Sequence, residues 1–230
     1  MVVLQAIHCL DTTDDVLSFL DAVPAGVRDA SLNALVTLLT ANANLWPVAD
    51  TFNLLEMDIL TVARALPSFR KVWVNENSAI LKFCRRMTLS PTTVVHANVC
   101  APDLQANFGS WVRNIVSLAI FADGRPLNAS ALQENLAACA RLKALAINWD
   151  SAGDAELNVL LALIATSRPR LTVLHLDPMM DSELQRCEGL LKWLVQPNAR
   201  AFKLNRVDFC SPRSQALDAR SALVDDASYD

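Results

Sequence analysis

An apolar phrase recurs along the chain as Ile115-x-x-Leu118-x-Ile120, Leu142-x-x-Leu145-x-Ile147 and Leu171-x-x-Leu174-x-Leu176, each after a helix-like stretch. Weaker copies lie upstream at Phe69-x-x-Val72-x-Val74 and Thr92-x-x-Val95-x-Ala97, and one lies downstream at Ala199-x-x-Phe202-x-Leu204. The fourth phrase position falls at residues 72, 95, 118, 145, 174 and 202, so the steps are 23, 23, 27, 29 and 28. These are the lengths of strand-plus-helix repeats, and an array of them is first of all an extended surface.

Composition narrows the class. A chain of 230 residues, 53% hydrophobic and 19% charged with only five glycines, is compact rather than disordered. Apolar runs such as Val159 to Ala165 fall well short of the roughly 20 residues of a membrane span. The opening Met-Val-Val-Leu-Gln-Ala-Ile-His has no basic leader or small-residue cleavage site, so the expected location is cytoplasmic or nuclear. Cys9, Cys84, Cys100, Cys139, Cys187 and Cys210 form no C-x-x-C pair and have no histidine at zinc-finger spacing. They read as reduced core thiols, and neither metal nor cofactor is expected. A net charge of −4 argues against a nucleic-acid clamp. Charge is nonetheless polarised: residues 1–60 hold eight acids and one Arg, residues 61–90 six bases and one acid.

Residues 1–45 read as a helical unit. Val3, Leu4, Ile7 and Leu10 mark one short helix face; Asp14 is placed to cap a second helix with Val16, Leu17, Phe19 and Leu20. Pro24-Ala25-Gly26 breaks the chain, and Asp29 or Ser31 can cap a third helix carrying Leu32, Leu35, Val36, Leu38 and Leu39. The stretch Val3-Leu4-Gln5-Ala6-Ile7-His8-Cys9-Leu10-Asp11-Thr12-Thr13-Asp14-Asp15-Val16 resembles the opening of an F-box, although the usual preceding Leu-Pro is absent. F-box proteins are substrate receptors of cullin-RING ubiquitin ligases and often join this motif to leucine-rich repeats. The resemblance implies a Skp-type adaptor bound through Leu4, Ile7, Leu10, Val16 and Leu17.

Trp46-Pro47 marks the exit, and Phe52, Leu55, Ile59, Val62 and Leu66 suit a helix ended by Pro67. Alternation follows: strand 71–75, helix 78–86, strand 94–98, helix 104–112, strand 117–121, then helices near 130–140, 154–167 and 182–195. The phrase resembles the leucine-rich repeat, with leucines at its first, fourth and sixth places. The ninth place, where that pattern has Asn or Cys, is taken by Asn77, Cys100, Asp123, Asp150, Met179 and Val207, so the last two do not suit a turn. The expected fold is α/β: a solenoid of the ribonuclease-inhibitor-like class over residues 46–210, parallel strands concave and helices convex, behind the F-box-like unit. Residues 211–230 are expected to form a terminal cap or frayed tail.

On each strand the neighbours of the fourth and sixth phrase positions point away from the core. One outward column is Lys71, Val94, Ser117, Ala144, Val173 and Ala201; the next is Trp73, His96, Ala119, Ala146, His175 and Lys203; the third is Asn75, Asn98, Phe121, Asn148, Asp177 and Asn205. Trp73, Asn98, Phe121, Asn148, His175, Asp177 and Asn205 are the expected contacts with an unidentified protein target, the two aromatics as anchors. His96 and His175 lie three strands apart at about 4.8 Å each, too far for one metal, and read as ordinary surface histidines. Asp14 and Asp15 suit a helix start, Lys82, Arg85 and Arg86 form a basic patch at helical spacing, and Gly109 and Gly153 belong to no phosphate loop. No catalysis is expected. The expectation is a non-catalytic interaction protein with no membrane or nucleic-acid partner. Beside it stands a standalone repeat scaffold whose helices merely cap the solenoid.

Overall fold

A computed structural model describes residues 2–100, 103–122, 129–149, 159, 161, 162, 164, 165, 170–178, 182–184, 188–204 and 207–209. The architecture is α/β. Strands β1 (Val48–Asp50), β2 (Lys71–Asn75), β3 (Val94–Val99), β4 (Ile115–Ala122), β5 (Ala144–Trp149), β6 (Val173–Pro178) and β8 (Ala201–Leu204) form one parallel sheet in that order. A separate two-stranded parallel sheet pairs β7 (Ser182–Leu184) with β9 (Val207–Phe209). Two compact units divide the chain, Met1–Ala97 with Gln105–Ile115, and Asn98–Leu104 with Val116–Asp230.

In the first unit the three expected N-terminal helices form: α1 (Val2–Ile7), α2 (Thr13–Ala22) and α3 (Ala30–Ala41). Asp29 caps α3, its Oδ1 accepting from Leu32 N at 2.9 Å. The cap of α2 is Thr12 rather than Asp14: its Oγ1 accepts from Asp15 N at 3.2 Å and donates to the Asp15 carboxylate at 2.7 Å. That reciprocal pair satisfies a free helix N–H and leaves Asp14 and Asp15 in the first turn, where the helix dipole favours them. Ile7, Val16, Leu20 and Leu35 are fully buried, together with Leu45, Leu54 and Leu66.

No boundary falls at residue 45. His8 Nε2 lies 2.8 Å from Ser68 O, Trp46 Nε1 donates to Leu10 O at 2.8 Å, and Ser31 and Ser68 share a hydroxyl bond of 2.7 Å. The single helix expected after Pro47 is instead β1 followed by α4 (Thr51–Leu55) and α5 (Ile59–Ala65). Asp50 and Asp58 cap the two helices through Phe52 N and Thr61 N, each at 2.8 Å, and so break the continuous helix that the apolar spacing suggests. Strand β1 pairs with β2 in parallel, Ala49 against Val72. Helix α6 (Ser78–Arg86) has its expected bounds because Asn77 caps it, accepting from Ile80 N at 2.8 Å. The helix expected over 104–112 is α7 (Leu104–Phe108) followed by a 3₁₀ turn, Gly109–Asn114, that starts from a Gly109 φ of 54°.

In the second unit the register follows the phrase. Leu118 pairs with Leu145, Leu145 with Leu174, and Leu174 with Phe202; Ile120, Ile147, Leu176 and Leu204 form the next row. Strands β5, β6 and β8 are entered the same way: Lys143 N donates to Val116 O, Thr172 N to Lys143 O and Arg200 N to Thr172 O, all within 2.8–2.9 Å. Helix α8 (Ala129–Ala138) lies where expected. The helix expected over 182–195 is shorter, α9 (Glu188–Leu194), because Ser182–Leu184 is drawn into pairing with Val207–Phe209. Val207 is therefore a strand residue, which is why it fails the turn chemistry of the ninth place. Asp123, Asp150 and Met179, and most of the helix expected over 154–167, lie outside the described residues.

Gly189 shows how closely α9 approaches its neighbour: a Cβ there would meet Ala162 N at 2.5 Å and the Leu161 carbonyl carbon at 2.9 Å. Backbone cannot yield as a flexible side chain can, so Gly189→Ala is expected to lower stability by about 1–3 kcal/mol in urea unfolding. Leu174, with no exposed surface, should cost about 2–5 kcal/mol as Leu174→Ala. Asn148→Ala on the open face should change stability by no more than about 0.5 kcal/mol. The opposite ranking of these last two would mean that the strand faces are inverted.

Candidate functional site

Strict alternation creates the candidate surface. On β2 Val72 and Val74 are fully buried while Lys71, Trp73 and Asn75 are exposed; on β3 Val95, Ala97 and Val99 are buried between half-open neighbours. Parallel sheets are ordinarily covered on both faces and then read as continuous apolar runs. These strands alternate instead, so one face is left open.

In the first unit that face centres on an aromatic pair. Trp73 and His96 stack with ring centroids 5.9 Å apart and planes 2° from parallel. Trp73 is 39% exposed, and its indole N–H is already donated to Asn75 Oδ1 at 3.1 Å, so it offers a ring face rather than a donor. Asp50 lies opposite Trp73 in the β1–β2 register and Val48 opposite Lys71. Burial, and then the Lys71 ammonium, hold the His96 pKa below the usual histidine value, so the ring is neutral at pH 7.

In the second unit the rows fall as the outward columns require. Phe121, Asn148 and Asp177 are neighbours across β4, β5 and β6, and Ala119, Ala146, His175 and Lys203 form the row beside them. All three members of the first row are half-buried. Burial and the Lys203 ammonium lower the His175 pKa, partly opposed by Asp177. Asn98 is half-buried on β3, and Asn205 lies outside the described residues.

Sequence reasoning misses two members of this surface. His96 reads as an ordinary surface histidine, although its column already places it beside Trp73. Asp50 is missed with β1 itself. A further step of 23 residues upstream from Val72 lands on Ala49, fully buried and paired with Val72, and finds it.

The residues expected to bind an adaptor divide by burial. Ile7 and Val16 have no exposed surface and belong to the core of the first unit, so neither presents a contact. Leu4, Leu10 and Leu17 are half-exposed. Leu4 lines a groove of ≈ 480 Å³ with Val2, Val3, Val27, Leu32 and Pro67, in which Val2 and Val27 are 79% and 58% exposed. His8 on the neighbouring turn is stacked on Trp46 with centroids 6.2 Å apart.

Cys84 is buried, which pushes its thiol up to about 12 and keeps it protonated. Among the described residues, no group of three His, Cys, Asp or Glu side chains is placed to hold a metal ion, and no helix is long and apolar enough to cross a membrane. Comparison with family models, curated proteins and solved structures found no match to this chain.

The two histidines carry a pH dependence. Their folded pKa values lie below the unfolded value of about 6.5, so between the two the unfolded chain binds more protons and stability rises with pH. Their contribution is present above about pH 6.5 and is lost as pH falls through the folded values. The midpoint of thermal unfolding should fall between pH 7 and pH 5.5, and a His96→Gln, His175→Gln double variant should show a smaller fall over that interval.

Proposed function

We propose that this protein is a non-catalytic protein-recognition module whose open sheet face selects a protein target. The observation that supports this most is the Trp73–His96 stack, a rigid aromatic platform on a sheet face that the alternation of β2 and β3 leaves uncovered. A ring face with its N–H already satisfied suits burial under a partner, since nothing polar is stranded when water leaves. In the second unit the half-open row of Phe121, Asn148 and Asp177 supplies the same mixture of aromatic, amide and carboxylate.

The finer reading makes the protein a substrate receptor of a cullin-RING ubiquitin ligase, with α1 and α2 docking a Skp-type adaptor as an F-box does. It rests on the resemblance of residues 3–16 to that motif and on the apolar groove at Leu4. Such a receptor changes no bond; it raises the effective concentration of target near ligase. The full burial of Ile7, Val16 and Leu20 favours a second reading, a standalone leucine-rich-repeat scaffold in which these helices serve only as an N-terminal cap.

Calorimetric titration of the full-length chain with a Skp-type adaptor separates the two. The receptor reading expects binding that Leu4→Asp and Leu17→Asp abolish and Trp73→Ala leaves unchanged, with all variants melting cooperatively. An adaptor that ignores the folded parent leaves the scaffold.

A further inference from the structure

The charge polarity of the chain has a definite address on the fold. Helix α6 buries Ile80, Leu81, Phe83 and Cys84 and turns Ser78, Ala79, Lys82, Arg85 and Arg86 outward. Lys82, Arg85 and Arg86 stand three and four residues apart, so their side chains emerge from one face. The 3₁₀ turn Gly109–Asn114 packs against the C-terminal end of this helix: Trp111 Nε1 donates to Met87 O at 2.7 Å, and the Trp111 ring meets Phe83 edge-on at 5.9 Å. Arg113 on that turn is exposed and adds a fourth cation.

Helix-end electrostatics account for part of this, because cations in a last turn complement the helix dipole. They account for Arg85 and Arg86 but not for Lys82, one turn earlier, or for Arg113, which is on another element. Nor is the Arg85 side chain a loose tether. Its Nε donates to Leu81 O at 3.3 Å, and its stem runs beside Gly109, where an added Cβ would stand 3.9 Å from Arg85 Cγ. The Nη groups thereby remain for an outside acceptor. The acid of this stretch, Glu76, precedes the other end of α6, six residues before Lys82 and nine before Arg85, roughly 9 and 13 Å away at 1.5 Å per residue.

We infer that the outward face of α6, together with Arg113, is a docking surface for an acidic, carboxylate-rich segment of a partner protein. Charge complementarity selects that occupant. A nucleic acid is disfavoured because the face carries no exposed aromatic for base stacking and the whole chain is net negative at −4. This surface is separate from the open sheet face and does not depend on the reading given to it. Exposed ion pairs are individually weak, so recognition requires several of these cations to act together, and it weakens with salt.

A fluorescent decaglutamate peptide titrated against the full-length chain at low salt tests the proposal. Saturable binding is expected, weakened at least about tenfold by a Lys82→Gln, Arg86→Gln, Arg113→Gln variant and lost near 0.5 M salt, where the Debye length is only a few ångströms. Trp73→Ala should bind as the parent does. Far-UV circular dichroism confirms that the triple variant keeps its helices; Arg85 is left in place to guard the end of α6. Equal binding by parent and triple variant, no binding by the folded parent, or preference for single-stranded RNA of matched length would each overturn the assignment.

Discussion

The structure depends on a register constraint: equivalent phrase positions must lie side by side in a parallel sheet. Leu118, Leu145, Leu174 and Phe202 form one row and Ile120, Ile147, Leu176 and Leu204 the next. A slip of one residue on any strand would send its apolar side chains to the open face and its polar ones into the core. The row is held by burial rather than by any special bond, since Leu145, Leu174 and Leu176 have at most 1% of their surface exposed. Everything on the other face, including the spacing of Phe121, Asn148 and Asp177, is inherited from it.

Polar groups near the strand entries are satisfied by recurring local devices. Asn114 Nδ2 donates to Ser90 O and Thr93 O at 2.9 and 2.8 Å, and Asn198 Nδ2 donates to Leu171 O at 3.2 Å. Thr93 and Thr172 add hydroxyl bonds to Phe69 O and Lys143 O. Buried carbonyls left unpaired would cost about 1–3 kcal/mol each. These side chains hold successive turns at a fixed separation and carry the constraint from one strand to the next.

Much of this is legible because period and burial speak together. The apolar phrase locates β2 through β6 and β8, and its alternation puts Trp73 and His96 on one face. What escapes depends on contacts that periodicity does not encode. Strand β1 is only Val48–Asp50, too short for a pattern, and exists because β2 offers it a partner. Ser182–Leu184 forms a strand through pairing with Val207–Phe209, against its helix-like surroundings. Ile7 and Val16 lie on the helix faces that their spacing predicts, yet a helix face does not say whether its neighbour is a partner or the rest of the same chain. Their burial among Leu20, Leu35 and Leu45 is a tertiary fact.

Strand order follows chain order throughout the seven-stranded sheet. Val48 meets Lys71, Ser117 meets Ala144, Ala144 meets Val173 and Val173 meets Ala201, so each of these closures spans 23 to 29 residues. Loop-closure entropy rises by only about 0.6 kcal/mol for each doubling of length, so these pairings are nearly equal in cost. No distant segment has to be found before growth begins. The sheet can nucleate at any adjacent pair of strands and extend toward either end, a zipper-like route that keeps contact order low for a protein built on parallel strands.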